Sequence, residues 1–207
     1  MAFEIVVVGT STGGLRALQT LLSGLPAGFP LPIVIVQHRG AGDENGLCEF
    51  LNQRSNVAVA EPEDKEPVQR HHAYLAPRDY HLLIEKQSFA LSTDRPVGFA
   101  RPSVDVLFES AAEEYRDRAI GVILTGANRD GARGLAAIKS RGGLALVQDP
   151  VSAACGEMPQ AAINQTEPDW VLPLEEIAPL LNKLSEAGTQ TELAGRELRE
   201  EPVNHGN

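Results

Sequence analysis

Cysteine is scarce in this chain. Cys48 and Cys155 are the only two among 207 residues, and their separation fits neither a disulfide framework nor a thiolate metal site. Both read as small apolar residues in or near a core. The five histidines show no His/Glu spacing of a metal site either, so no metal and no cofactor is expected. No run approaches the ~20 apolar residues of a membrane span, and no charged-then-apolar leader precedes the first apolar run. Basic residues are the minority, 18 Lys and Arg against 28 Asp and Glu, a net charge of −10 that argues against nucleic acid as a partner. The acidic excess selects no substrate class, because much of it lies in solvated runs such as 61–66 and the C-terminal stretch. Internal repeats are absent. The expectation is a soluble, cytosolic protein.

What the chain does hold is alternating order. With 43% hydrophobic and 22% charged residues, it has enough for one α/β domain with a sizeable core. Strands are expected at 4–8, 32–36, 57–60, 73–76, 119–124, 144–147 and 170–172. Helices are expected at 15–25, 44–53, 103–115, 130–140, 158–164 and 174–187. A hairpin at 80–85 and 89–92 interrupts the alternation. This rhythm predicts a doubly wound, mainly parallel sheet with an antiparallel hairpin at an edge. The domain is expected over residues 1–187. Residues 188–207 are polar and Glu-rich with little apolar pattern, which predicts a loose tail.

The first strand ends in Gly9-Thr10-Ser11-Thr12-Gly13-Gly14, a sharp turn into a helix with Ser11 flanked as Gly-x-Ser-x-Gly. A dinucleotide fingerprint wants glycine where Ser11 stands, and a P-loop wants lysine where Leu15 stands. The segment alone leaves three readings open: a nucleophile, a phosphate cradle, and a plain turn with Ser11 or Thr12 capping the helix. In an open parallel sheet, function collects at the carboxyl ends of strands. His38 follows the second strand, and Asp130 lies in the loop after the strand at 119–124. Serine, histidine and aspartate there are the inventory of a nucleophile, a general base and a group that orients the base. Asp130 reads equally as the N-cap of its own helix. Gly126 and Gly131 bracket it and suit close backbone approach to a ligand. His71 and His72 read as surface residues, whereas His81 opens a strand and faces either the site or solvent.

With these residues assembled, the chain resembles the catalytic domain of the CheB family, the chemotaxis protein-glutamate methylesterases. The resemblance rests on 9–14, Gln37-His38, Tyr74-Leu75-Ala76-Pro77 with His81, and Arg101-Pro102-Ser103-Val104-Asp105. It continues through Leu124-Thr125-Gly126, Asp130-Gly131-Ala132, Gly142-Gly143, Gln148-Asp149-Pro150 and Met158-Pro159, in order over about 5–181. It implies Ser11 as nucleophile, His38 as base and Asp130 as third member, with backbone N–H groups of Thr12 and Ala127 holding the oxyanion. The implied substrates are glutamyl γ-methyl esters on chemoreceptor helices, and receptor glutamines for deamidation. The family usually has methionine after Thr125-Gly126 and a further glycine before the aspartate. Here Ala127, Asn128 and Arg129 stand instead, and Arg39 replaces a frequent methionine. The commonest architecture adds an N-terminal receiver domain. This chain opens directly on the catalytic strand, so the expectation is activity without a phosphodonor or control by a separate protein.

Overall fold

The structure, a computed structural model, describes residues 2–38 and 46–197, with side chains described through residue 186. The elements run β1 (Ile5–Thr10), α1 (Gly14–Gly24), β2 (Ile33–Gln37), α2 (Leu47–Asn52), β3 (Ala58–Ala60), β4 (His72–Leu75), β5 (His81–Glu85) and β6 (Ser88–Ser92). They continue with α3 (Val104–Tyr115), β7 (Ala119–Ile123), α4 (Ala132–Ser140), β8 (Leu144–Gln148), α5 (Glu157–Gln165), β9 (Trp170–Leu172) and α6 (Leu174–Glu197). A short 3-10 turn over Arg116–Arg118 joins α3 to β7. Seven strands form one sheet in the order β3-β4-β2-β1-β7-β8-β9, with every neighbouring pair parallel.

A parallel sheet with helices on both faces buries both sides of its strands, so they read as continuous apolar runs. In β1, Ile5 and Val7 pack with Val34, Phe108 and Leu135 on the α3–α4 side. Val6 and Val8 alternate with them and pack with Leu18, Leu21, Ile120 and Ile177 on the α1–α6 side. The expected hairpin, β5–β6, forms a two-stranded sheet of its own rather than extending the large one. It docks on α3, whose Ser110 Oγ accepts the Ile84 N–H at 3.0 Å.

Two boundaries differ from the sequence pattern. The expected helix over 44–53 is present as α2 (Leu47–Asn52), with Gly46 before it non-helical and residues 44 and 45 outside the described residues. The last helix was expected to close at residue 187, yet α6 continues to Glu197. Glu192, Leu193, Ala194 and Arg196 are strong helix formers, and no proline follows until Pro202. One glycine, Gly188, costs only about 1 kcal/mol against alanine and does not stop such a run. Residues 198–207 of the expected tail lie outside the described residues.

The chain leaves β1 toward β2, β4 and β3, then returns to β7 on the opposite flank of β1. The sheet order therefore reverses at the carboxyl end of β1, the place where doubly wound sheets hold their ligands.

Candidate active site

Four polar side chains lock the strand ends at this reversal. Thr10 Oγ1 donates to the Thr125 carbonyl at 2.9 Å, and Gln148 Oε1 accepts the Thr125 N–H at 2.9 Å. Thr125 Oγ1 donates to the Thr12 carbonyl at 2.8 Å and accepts the Cys155 N–H at 2.9 Å. Gln37 Nε2 donates to the carbonyls of Ser11 at 2.9 Å and His38 at 2.6 Å, tying the first two loops together. Ser11 itself is held through its backbone: its N–H donates to Thr125 and its carbonyl accepts from Gly14, each at 2.9 Å. The left-handed residue of the turn is Gly13, at φ 81°. No side chain caps α1, so the capping reading of Ser11 and Thr12 falls away. The Ser11 hydroxyl has no hydrogen-bond partner among the described residues. Opposite it, a Cβ on Gly126 would lie 2.9 Å from Ser11 Cβ and 2.4 Å from Met158 Sδ, so only glycine lets this loop lie so close to the serine.

His38 and Asp130 meet directly. His38 Nε2 lies 2.8 Å from Asp130 Oδ2, and a carboxylate acceptor there places the ring proton on Nε2. The lone pair is consequently on Nδ1, the reverse of the familiar serine-protease arrangement. Asn128 Nδ2 is 2.9 Å from that Nδ1. Asp130 does not cap its own helix. Its Oδ1 accepts from Ser103 Oγ at 2.8 Å and the Asp105 N–H at 3.0 Å, and its Oδ2 also accepts the Val104 N–H at 2.7 Å. It thus occupies the N-terminus of α3, where free N–H groups and the helix dipole favour a negative charge. Asp105 returns the arrangement, its Oδ1 accepting from Gly131 at 2.9 Å and Gly134 at 2.7 Å at the start of α4. His81, whose orientation the sequence left open, is buried. Its Nδ1 accepts the Ser103 N–H at 3.2 Å and its Nε2 lies 3.2 Å from the Arg95 carbonyl. A line of hydrogen bonds therefore runs from His81 through Ser103 and Asp130 to His38.

The two aspartates titrate in opposite directions. Burial raises Asp130, but the His38 ring, the Asp105 and Val104 amides and the Ser103 hydroxyl together hold it below the usual carboxylate range. Burial pushes Asp105 up and the charge of Asp130 adds to this, against the Gly134 and Gly131 amides and Arg133. A lowered carboxyl contributes stability above the ordinary range that is lost as pH falls through its folded value. A raised one contributes stability at low pH that is lost as pH rises through its folded value. Stability from this pair should therefore rise on leaving strong acid and then decline somewhat toward neutrality. Asp105→Asn keeps the acceptor for both α4 amides and removes the charge, so it should abolish the decline and spare the rise. Thermal melts across the acid range check this; a variant whose decline persists would place the raised group elsewhere.

A cavity of about 840 Å³ opens beside these residues, lined by Ser11, Thr12, Arg16, Gln37, His38 and Phe50. The N–H groups of Thr12 and Ala127 make no hydrogen bond to the described residues, leaving two donors beside the serine. Among the described residues no helix is long and apolar enough to cross a membrane.

Residues 6–181 match the family model described as CheB methylesterase. The chain belongs to the CheB methylesterase family. A Leptospira interrogans relative, named a putative protein-glutamate methylesterase/protein-glutamine glutaminase, is 50% identical over 187 residues, covering 90% of this chain and 97% of the relative. An Anaeromyxobacter dehalogenans protein-glutamate methylesterase/protein-glutamine glutaminase is 43% identical over 88% of this chain but only 53% of its own length. The crystal structure of the Thermotoga maritima CheB methylesterase catalytic domain superposes with a TM-score of 0.84 at 37% identity, covering 89% of this chain and all of that one. Against this CheB background, Arg101-Pro102-Ser103-Val104-Asp105 gains a physical reason. Ser103, Val104 and Asp105 are the donors that hold Asp130. Neither those contacts nor Asn128 beside the imidazole is visible in local sequence pattern, because each partner is distant in the chain or specified only by the loop's path.

Proposed function

We propose that Ser11, His38 and Asp130 carry out the hydrolysis of glutamyl γ-methyl esters on chemoreceptor helices. The observation that carries this reading is the His38–Asp130 pair, 2.8 Å apart, at the same cavity edge as a serine with an unengaged hydroxyl. His38 Nδ1 takes the Ser11 proton as Oγ bonds to the ester carbonyl carbon, while Thr12 and Ala127 N–H groups hold the oxyanion. As the tetrahedral intermediate collapses, methanol leaves with the proton held by His38. Water, deprotonated by His38, then cleaves the acyl-serine and returns a glutamate carboxylate. Asp130 keeps the proton on Nε2 and stabilises the imidazolium formed in each half-reaction. The oxyanion donors are backbone groups, so alanine at 127 serves as well as a larger residue would. Since donors of this kind are worth ~10²–10³ in turnover, what matters is the loop's path.

A glutamine side chain entering the same site would form the same acyl-serine with ammonia as leaving group. The names of the Leptospira and Anaeromyxobacter relatives, which include protein-glutamine glutaminase, favour this second activity. The phosphate-cradle reading of 9–14 is less well supported, because the Gly14 N–H at the start of α1 is already engaged by the Ser11 carbonyl at 2.9 Å. Methanol release from methylated receptor, with and without prior treatment by a serine-directed fluorophosphonate, tests the proposal. Release that the reagent abolishes is expected; a chain that binds phosphate and releases no methanol would reverse the order of the readings.

A further inference from the structure

The contact between Asn128 and His38 has no part in the reaction as written. Asn128 Nδ2 lies 2.9 Å from Nδ1. The direction of its amide is set at the other end, where Oδ1 accepts the Asp130 N–H at 3.0 Å. The NH₂ group therefore faces the imidazole. Because Asp130 holds the Nε2 proton, Nδ1 can only accept, and Asn128 donates to it. A neutral imidazole nitrogen has a single in-plane lone pair, so Asn128 and the Ser11 hydroxyl compete for one acceptor. In the structure Asn128 holds it, and no hydrogen bond joins Ser11 to His38 among the described residues.

We propose that Asn128 is a gate on the catalytic base: its side-chain amide occupies the Nδ1 lone pair in the free enzyme and must be displaced before Ser11 can be deprotonated. It is a positioning residue acting through His38. The proposal rests on the reading of Ser11 as nucleophile and His38 as base. Release requires only a side-chain rotation. The loop is anchored before Asn128 by the Gly126 N–H on the Cys155 carbonyl at 3.0 Å, and after it by the four hydrogen bonds that Asp130 accepts. The backbone can stay in place while the amide swings away. The free enzyme is thereby held less reactive than its catalytic residues allow, and an entering substrate that displaces the amide releases the base.

The test uses a small alkyl fluorophosphonate, which needs no receptor for recognition. Ser11 Oγ forms a bond to phosphorus as the P–F bond breaks; the hydroxyl proton passes to His38 Nδ1 and fluoride leaves. Asn128→Ala removes both contacts of the side chain. Asn128→Ser keeps an oxygen able to accept the N–H two residues on but does not reach the ring. Labelling should be about fivefold faster in both variants, the size of one net neutral hydrogen bond. In ¹⁵N spectra of the imidazole, the Nδ1 signal should move from a hydrogen-bonded to a free acceptor position, while the Nε2 proton on Asp130 stays. A merely structural role would not move that signal. A folded Asn128→Ser protein labelled at or below the wild-type rate would overturn the gate and make the amide an aid to catalysis. Should the variants not fold, a wild-type Nδ1 signal at the free position overturns it without them. Wild-type protein that never labels would instead sink the esterase reading itself.

Discussion

Alanine at position 11 is expected to stop ester hydrolysis while leaving thermal stability unchanged. Removing the nucleophile of a triad lowers kcat by on the order of 10⁶, because the remaining groups act only through it. Stability should move by no more than about 0.5 kcal/mol. The reason lies in how the turn is built. Its left-handed residue is Gly13, at φ 81°, and α1 has no side-chain cap. Ser11 is fixed by its own N–H and carbonyl, which alanine retains, and by the Gln37 amide on that carbonyl. The hydroxyl makes no hydrogen bond that the fold would lose among the described residues. Methanol release and fluorophosphonate labelling read the first effect, and a thermal melt reads the second. A folded Ser11→Ala protein that still releases methanol at the wild-type rate would remove Ser11 as nucleophile.

The same division explains what could be read from the sequence. Strands buried on both faces announce themselves as apolar runs, so β7 begins at its expected residue and the two-sided alternation of β1 follows from its pattern. The carboxyl ends of those strands are then legible too, and Ser11, His38 and Asp130 stand there. The role of Asp130 was only half legible. An aspartate just before Gly131-Ala132 looks locally like a cap for the helix that follows. The structure instead carries its carboxylate across to α3, while Asp105 serves α4 in exchange. A cap exchanged between two helices leaves no periodic trace, since each partner is some 25 positions away. His81 is a similar case. Its burial follows from β5 packing under α3, and a histidine in a short strand carries no local sign of that. The extension of α6 past Gly188 leaves no apolar period to read, because polar helix formers carry it to Glu197.

Asp130→Asn is the sharpest test of the exchanged cap and of the base together. The carboxylate accepts four hydrogen bonds, two on each oxygen: Ser103 Oγ and the Asp105 N–H on Oδ1, and the His38 ring and Val104 N–H on Oδ2. An asparagine has one oxygen to offer. With its NH₂ group at the Oδ2 position, His38 must accept there and carry its proton on Nδ1, so the base no longer faces Ser11 with a lone pair. With the amide reversed, Ser103 can rotate to accept, but the Asp105 N–H then points at a donor. Either way one N–H of the first turn of α3 loses its partner in a buried place, a cost of about 1–3 kcal/mol. The first orientation keeps Asp105 satisfied and the second keeps the correct tautomer, so neither restores both. The imidazolium formed during catalysis also loses its negative partner in both. Turnover should therefore fall by ~10⁴. KM should change little, because Asp130 is buried and does not line the cavity. Kinetics with methylated receptor, read beside a melt, separate the two effects. A loss of stability with less than a tenfold loss of turnover would leave Asp130 as the cap of α3 alone, and His38 would then need another partner to hold its proton.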